Sequence, residues 1–216
     1  MWSWPGHLRL ASTGAALTHA PTPATREQQY EAGARFLCAT ALAYRVHGLS
    51  VDVLYVDEEG FGEASGGVRV IDASDAGRIG LVGYAVQLER RAGIVGQDAA
   101  IQHTLDVWQD TVVSAVTDDD ADGDDGLLKV RRILESAPWA IAFVAANRDL
   151  ITELAALLLA SGGHLEPAAF LPIVDGRITQ VSPEANRAAL AMLEPYEAQL
   201  KEIQESLSEW QRLENR

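Results

Sequence analysis

The sequence predicts a predominantly helical α+β protein: a small β-sheet beside one helix, a helical bundle, and a long C-terminal helix. Two patterns carry that prediction. Apolar residues recur at helical spacing in successive stretches from Arg26 onward. By contrast, Val51, Val53 and Tyr55 alternate with Asp52 and Leu54, and the turn-forming run Asp57-Glu58-Glu59-Gly60 follows. Nearly half of the 216 residues are hydrophobic, enough for one sizeable core with appendages. Residues 1–24 read as an irregular arm, 25–176 as the folded domain, and 177–216 as a helical tail.

In the arm, Trp2, Trp4, Pro5, Pro21 and Pro23 are interspersed with small polar residues, which suits neither a helix nor a membrane anchor. Thr25 then offers an N-cap, with Gln28 at capping-box spacing. Phe36, Leu37, Ala41, Leu42 and Tyr44 share one face of the first helix, and Gly48 terminates it. After the strand at 51–55, Gly66-Gly67 leads into a second expected strand, Val68–Ile71.

Helical spacing returns between Ser74 and Arg91 through Ile79, Val82, Ala85, Val86 and Leu88, with Ser74 as cap and Gly93 as stop. A further helix carries Ile101, Thr104, Leu105, Trp108 and Val112. Two more helices occupy 127–161, the second with Pro138 in its first turn and Trp139, Phe143, Leu150, Leu154 and Leu157 facing the core. Gly162-Gly163 closes that stretch, and Glu166-Pro167 opens a short helix ending near Val174. Ser182-Pro183 caps the next helix, which Pro195 interrupts.

Charge and cysteine content restrict the partners. With 31 acidic against 17 basic residues the net charge is −14, which repels nucleic-acid phosphates and anionic membranes. The single Cys38 permits no intramolecular disulfide, so a reducing, cytoplasmic setting is expected, with Cys38 as a small core residue. No apolar run approaches the roughly 20 residues of a membrane span, and the opening stretch, with Arg9 inside it, predicts no signal peptide. Asp118, Asp120, Asp122 and Gly123 match the first half of a calcium loop. Asp125 occupies its apolar position and Lys129 replaces the bidentate glutamate, so Asp118–Asp125 reads as a solvated acidic loop.

The segment Tyr30-Glu31-Ala32-Gly33-Ala34 resembles the zinc-protease helix motif H-E-A-G-H with both histidines replaced. Downstream, LSVDVLYVDEEGFGEASGGVRVI supplies a polar strand and a glycine turn, and Gly83-Tyr84-Ala85-Val86-Gln87 stands where a G-x-A-A-E-like segment belongs. Ala100-Ile101 takes the place of a D-L-x-x-A motif, and the leucine-rich stretch within 127–174 closes the unit. In this order of elements, residues 26–174 resemble the proteolytic domain of FtsH-type zinc proteases. The membrane helices and ATPase module of FtsH have no counterpart, and no G-x-x-x-x-G-K-[ST] loop occurs.

What the resemblance implies is a degenerate site. Zinc catalysis needs three protein ligands and an open position for water. Tyr30, Ala34 and Ala100 hold the ligand positions, and Glu31 is left without a metal-bound water to activate. The implied protein is a catalytically inactive binding or assembly module with no cofactor. The alternative is an active metal-dependent peptidase with non-standard ligands, Glu31, Asp98 and His103. No G-x-S-x-G elbow or Cys-His pairing offers other chemistry. A protein partner, or a second copy, would meet the seam Leu193, Tyr196, Leu200, Ile203, Leu207 and Trp210. These residues step at heptad-like spacing between charged flanks.

Overall fold

A computed structural model describes residues 25–66, 73–104, 135–196 and 201. The expected strand Val68–Ile71, the acidic loop, the stretch 127–134 and the seam residues Leu200, Ile203, Leu207 and Trp210 lie outside those residues.

Helix α1 (Arg26–Val46) begins with the expected capping box. The Gln28 amide donates to the Thr25 hydroxyl at 3.2 Å, and the Gln28 side chain accepts from the Thr25 amide at 3.0 Å. Gly48, at φ 71°, turns the chain out of the helix, a left-handed conformation that suits glycine. Ala34, Leu37, Cys38, Ala41 and Leu42 form the buried face. Small residues on it let the rest of the chain approach closely on several sides.

Strands β1 (Val53–Val56) and β2 (Gly62–Ser65) pair antiparallel, with Val53 opposite Ser65 and Val56 opposite Gly62. The hairpin therefore closes earlier than the sequence suggests, and its second strand is Gly-Glu-Ala-Ser. Asp57 holds the connecting turn, its Oδ1 accepting from the amides of Glu59 and Phe61, each at 2.9 Å. The other edge of β1 meets residues 163–165: Val56 donates to the Gly163 carbonyl at 2.7 Å and Leu165 to that of Leu54 at 3.0 Å.

Helix α2 (Ala73–Val95) starts one residue before Ser74 and passes through Gly93. The left-handed residue that ends it is Gly96, at φ 89°. A helical segment at 97–104 follows. The leucine-rich stretch after Pro138 is two helices rather than one, α3 (Ala137–Ala146) and α4 (Arg148–Ala160). Asn147 divides them because its buried carboxamide is committed elsewhere. It donates to the carbonyls of Phe143 and Thr179 (both 2.9 Å) and accepts from the Thr179 amide at 2.8 Å. Helix α5 (Pro167–Val174) has the expected bounds. Helix α6 (Pro183–Leu193) is capped by Ser182, whose hydroxyl accepts from Ala185 at 3.1 Å. At Pro195 it gives way to a 3-10 turn, Glu194–Tyr196.

The fold is thus predominantly helical α+β with one small antiparallel sheet. Helix α1 is its axis, packing on α2, α4 and both strands, while α3 joins α2 to α6. Leu42, Leu54, Ile101, Phe143, Leu154, Leu158 and Phe170 are fully enclosed. Each contributes about 1.5–3 kcal/mol of transfer free energy. Ala189 and Leu193 of α6 are also buried, and Leu193 joins the core.

Candidate functional site

Three residues of the motif, Tyr30, Gly33 and Ala34, serve packing. Tyr30 is half-buried, and its hydroxyl lies against Gly163, where an added Cβ would stand 2.8 Å from it. Glu31 points outward and forms an exposed i,i+4 ion pair with Arg35 at 3.1 Å. Ala34 has no exposed surface. Gly33 faces the turn after β1 so closely that a Cβ on it would lie 2.1 Å from the Gly60 carbonyl oxygen. Gly60, at φ 84°, meets the Gln29 carbonyl in return, with 2.4 Å to its own added Cβ. The Gly33–Gly60 contact thus accounts for the motif glycine as a place where two backbones touch. Gly83 has a similar role: a Cβ there would overlap the Phe36 ring, which packs edge-on against Tyr84.

The remaining predicted positions are separated by use. Ala100 is fully enclosed in the core. Asp98 is exposed and accepts a hydrogen bond from the Tyr196 hydroxyl at 3.1 Å. His103 is partly buried on the same helical segment. Among the described residues, no three His, Cys, Asp or Glu side chains converge as a metal-binding group would require, so Glu31, Asp98 and His103 are not assembled. In the seam, Leu193 is in the core and Tyr196 packs against it. Burial pushes the Cys38 thiol up to about 12, which makes it a poor nucleophile.

One cluster escaped the sequence reading. His47, the C-cap of α1, places Nδ1 3.1 Å from the Asp75 carboxylate in the first turn of α2. Asp75 also accepts from Arg78 at 3.0 Å, and the Arg78 guanidinium lies 5.6 Å from the centre of the Trp139 ring. Trp139 in turn stacks on Phe143, with ring centres 4.8 Å apart. A cavity of about 410 Å³ opens beside this group, lined by Arg78, Trp139, Ser136, Asn186 and the start of α6. The i,i+3 pair Asp75–Arg78 is legible in the sequence, but its union with His47 and Trp139 depends on three separate helices.

No protein-family model matches the chain, and no curated protein or solved structure is similar enough to count as a match.

Proposed function

We propose that this protein is a non-catalytic binding or assembly module on a scaffold resembling the FtsH-type proteolytic domain. The observation that favours this reading is the divergence of the motif side chains. Glu31, the motif's one acid, is turned to solvent beside Arg35, whereas Ala34 and Ala100 are sealed in the core. A zinc hydrolase needs its ligands and general base around one open position. Here the equivalent residues face in different directions.

The binding surface belongs to the C-terminal segment beyond Tyr196, and the partner is a second copy of the chain. Leu193 is already spent on the core, which leaves Leu200, Ile203, Leu207 and Trp210 as the seam. Covering four such side chains at about 1.5–3 kcal/mol each is enough to offset the cost of association. A cytoplasmic setting is part of the proposal and rests on the single buried thiol. Among the described residues, no helix is long and apolar enough to cross a membrane.

Truncation after Tyr196 tests the assembly claim, since it removes the seam and spares α6. Light scattering should give a smaller assembly for the truncated chain than for the full chain at equal concentration. Equal mass per chain in the two proteins would refute the claim.

A further inference from the structure

We propose that the cavity between α2, α3 and α6 binds a small organic acid, with the ligand's carboxylate on Arg78 and its hydrocarbon body against Trp139. This site does not depend on the self-association proposed above. At about 410 Å³ the cavity falls in the size range of small-molecule sites, where apolar walls carry a few convergent polar groups. Trp139, Val181 and Pro183 supply the apolar wall, and Arg78 and Asn186 face it from α2 and α6. The Ser182 hydroxyl on the same lining is already committed to capping α6.

Arg78 is the residue that decides the ligand class. Its Nη1 donates to Asp75 at 3.0 Å, and Asp75 lies in turn 3.1 Å from Nδ1 of His47 at the end of α1. Its Cζ sits over the Trp139 ring, 5.6 Å from the centre. That ring is itself fixed between Phe143, stacked at 4.8 Å, and His47, tilted at 5.2 Å. The guanidinium is therefore positioned by contacts reaching α1 and α3, yet only one of its nitrogens is used. Among the described residues no acceptor takes Nε or Nη2. Those two N–H groups form the side-on fork that a carboxylate fills with two parallel hydrogen bonds. Two further charges set the limit on the ligand. Asp75 is paired with the same guanidinium, and Glu135 stands on the cavity lining. Both repel anions, so the site suits a single carboxylate with an apolar body and disfavours a multiply charged anion.

Phenylacetate is the probe, titrated into the full chain at neutral pH. Solution NMR follows the indole N–H of Trp139, assigned by its loss in Trp139→Phe. Phenylacetate should shift that signal with a Kd on the order of 1 mM. Phenethyl alcohol, which lacks the acid, and inorganic phosphate, which lacks the apolar body, should each bind at least roughly ten-fold more weakly. Arg78→Gln should weaken phenylacetate roughly 10- to 100-fold. Arg78→Lys keeps the charge and loses the fork, so its affinity should lie between the two. Val181→Phe fills the cavity and leaves Arg78 in place; it should weaken the probe roughly ten-fold or more while thermal unfolding shows a folded chain. No shift of the Trp139 signal in the unaltered chain overturns the site. Alcohol or phosphate binding as tightly as phenylacetate overturns the acid assignment, and those ligands decide the matter on the unaltered chain should a variant fail to fold. Unchanged affinity in folded Val181→Phe places the probe elsewhere and overturns the site as well.

Discussion

Replacing Gly33 by alanine should destabilise the protein, although in most helices that change does the opposite. Alanine is favoured over glycine in a helix interior by about 1 kcal/mol. At Gly33, however, the new methyl would stand 2.1 Å from the Gly60 carbonyl oxygen and 2.7 Å from its carbonyl carbon. Relief requires the turn at 57–60 to retreat by roughly an ångström, a backbone shift of the kind that costs about 1–3 kcal/mol. The turn is not free to yield. It is tied by the two Asp57 side-chain bonds, by the Gly60 amide to the Asp57 carbonyl at 2.9 Å, and by the β1–β2 ladder. Because the obstruction is backbone, the upper part of that range applies, and the net loss should be about 1–2 kcal/mol. Gly93→Ala is the matched control, since a Cβ there meets nothing within 4 Å. It should stabilise by about 1 kcal/mol. Urea unfolding of the three proteins, compared at equal m-values, measures both shifts. If Gly33→Ala stabilised as much as Gly93→Ala, the close approach of helix and turn would be refuted. The packing account of the motif glycine would go with it.

Two further predictions concern buried groups. Cys38 should resist alkylation at pH 8 in the folded protein and react at the ordinary rate once unfolded, because it is fully buried with its thiol pushed up to about 12. A raised folded-state value means that this stability is complete below about pH 9 and is lost as the pH climbs towards 12. The linkage is on the order of 4 kcal/mol, read as a falling unfolding midpoint over that window. Asn147→Ala should cost about 2–3 kcal/mol in denaturant unfolding by stranding the Thr179 amide and carbonyl, and should speed amide exchange at Thr179. Wild-type exchange there would show that the carboxamide is not the clamp described.

What was legible in the sequence was local. The capping box at Thr25 and Gln28, the stop at Gly48, the Ser182-Pro183 start and the break at Pro195 each depend on residues within four positions. Such signals need no tertiary context. Strand β2 was not legible, because Gly62, Glu63, Ala64 and Ser65 have little intrinsic strand preference. The Asp57 turn and its docking on Gly33 place them beside β1 instead. Asn147 looks like an ordinary helix position until Thr179, 32 residues away, engages its carboxamide. The motif region shows the same limit. Nothing local reveals that Gly33 touches Gly60, that Asp98 holds Tyr196, or that His47 meets Asp75 beside Trp139. Each of those contacts joins elements that only the completed core brings together.

Elemental analysis of the purified full chain, paired with a peptidase assay with and without added zinc, tests the non-catalytic reading most directly. On the proposed reading, in which Tyr30, Ala34 and Ala100 stand at the ligand positions, the chain should carry no stoichiometric zinc and show no zinc-dependent cleavage. About one zinc per chain, lost together with cleavage when Asp98 or His103 is replaced, would contradict the account and establish a metal site built from other residues.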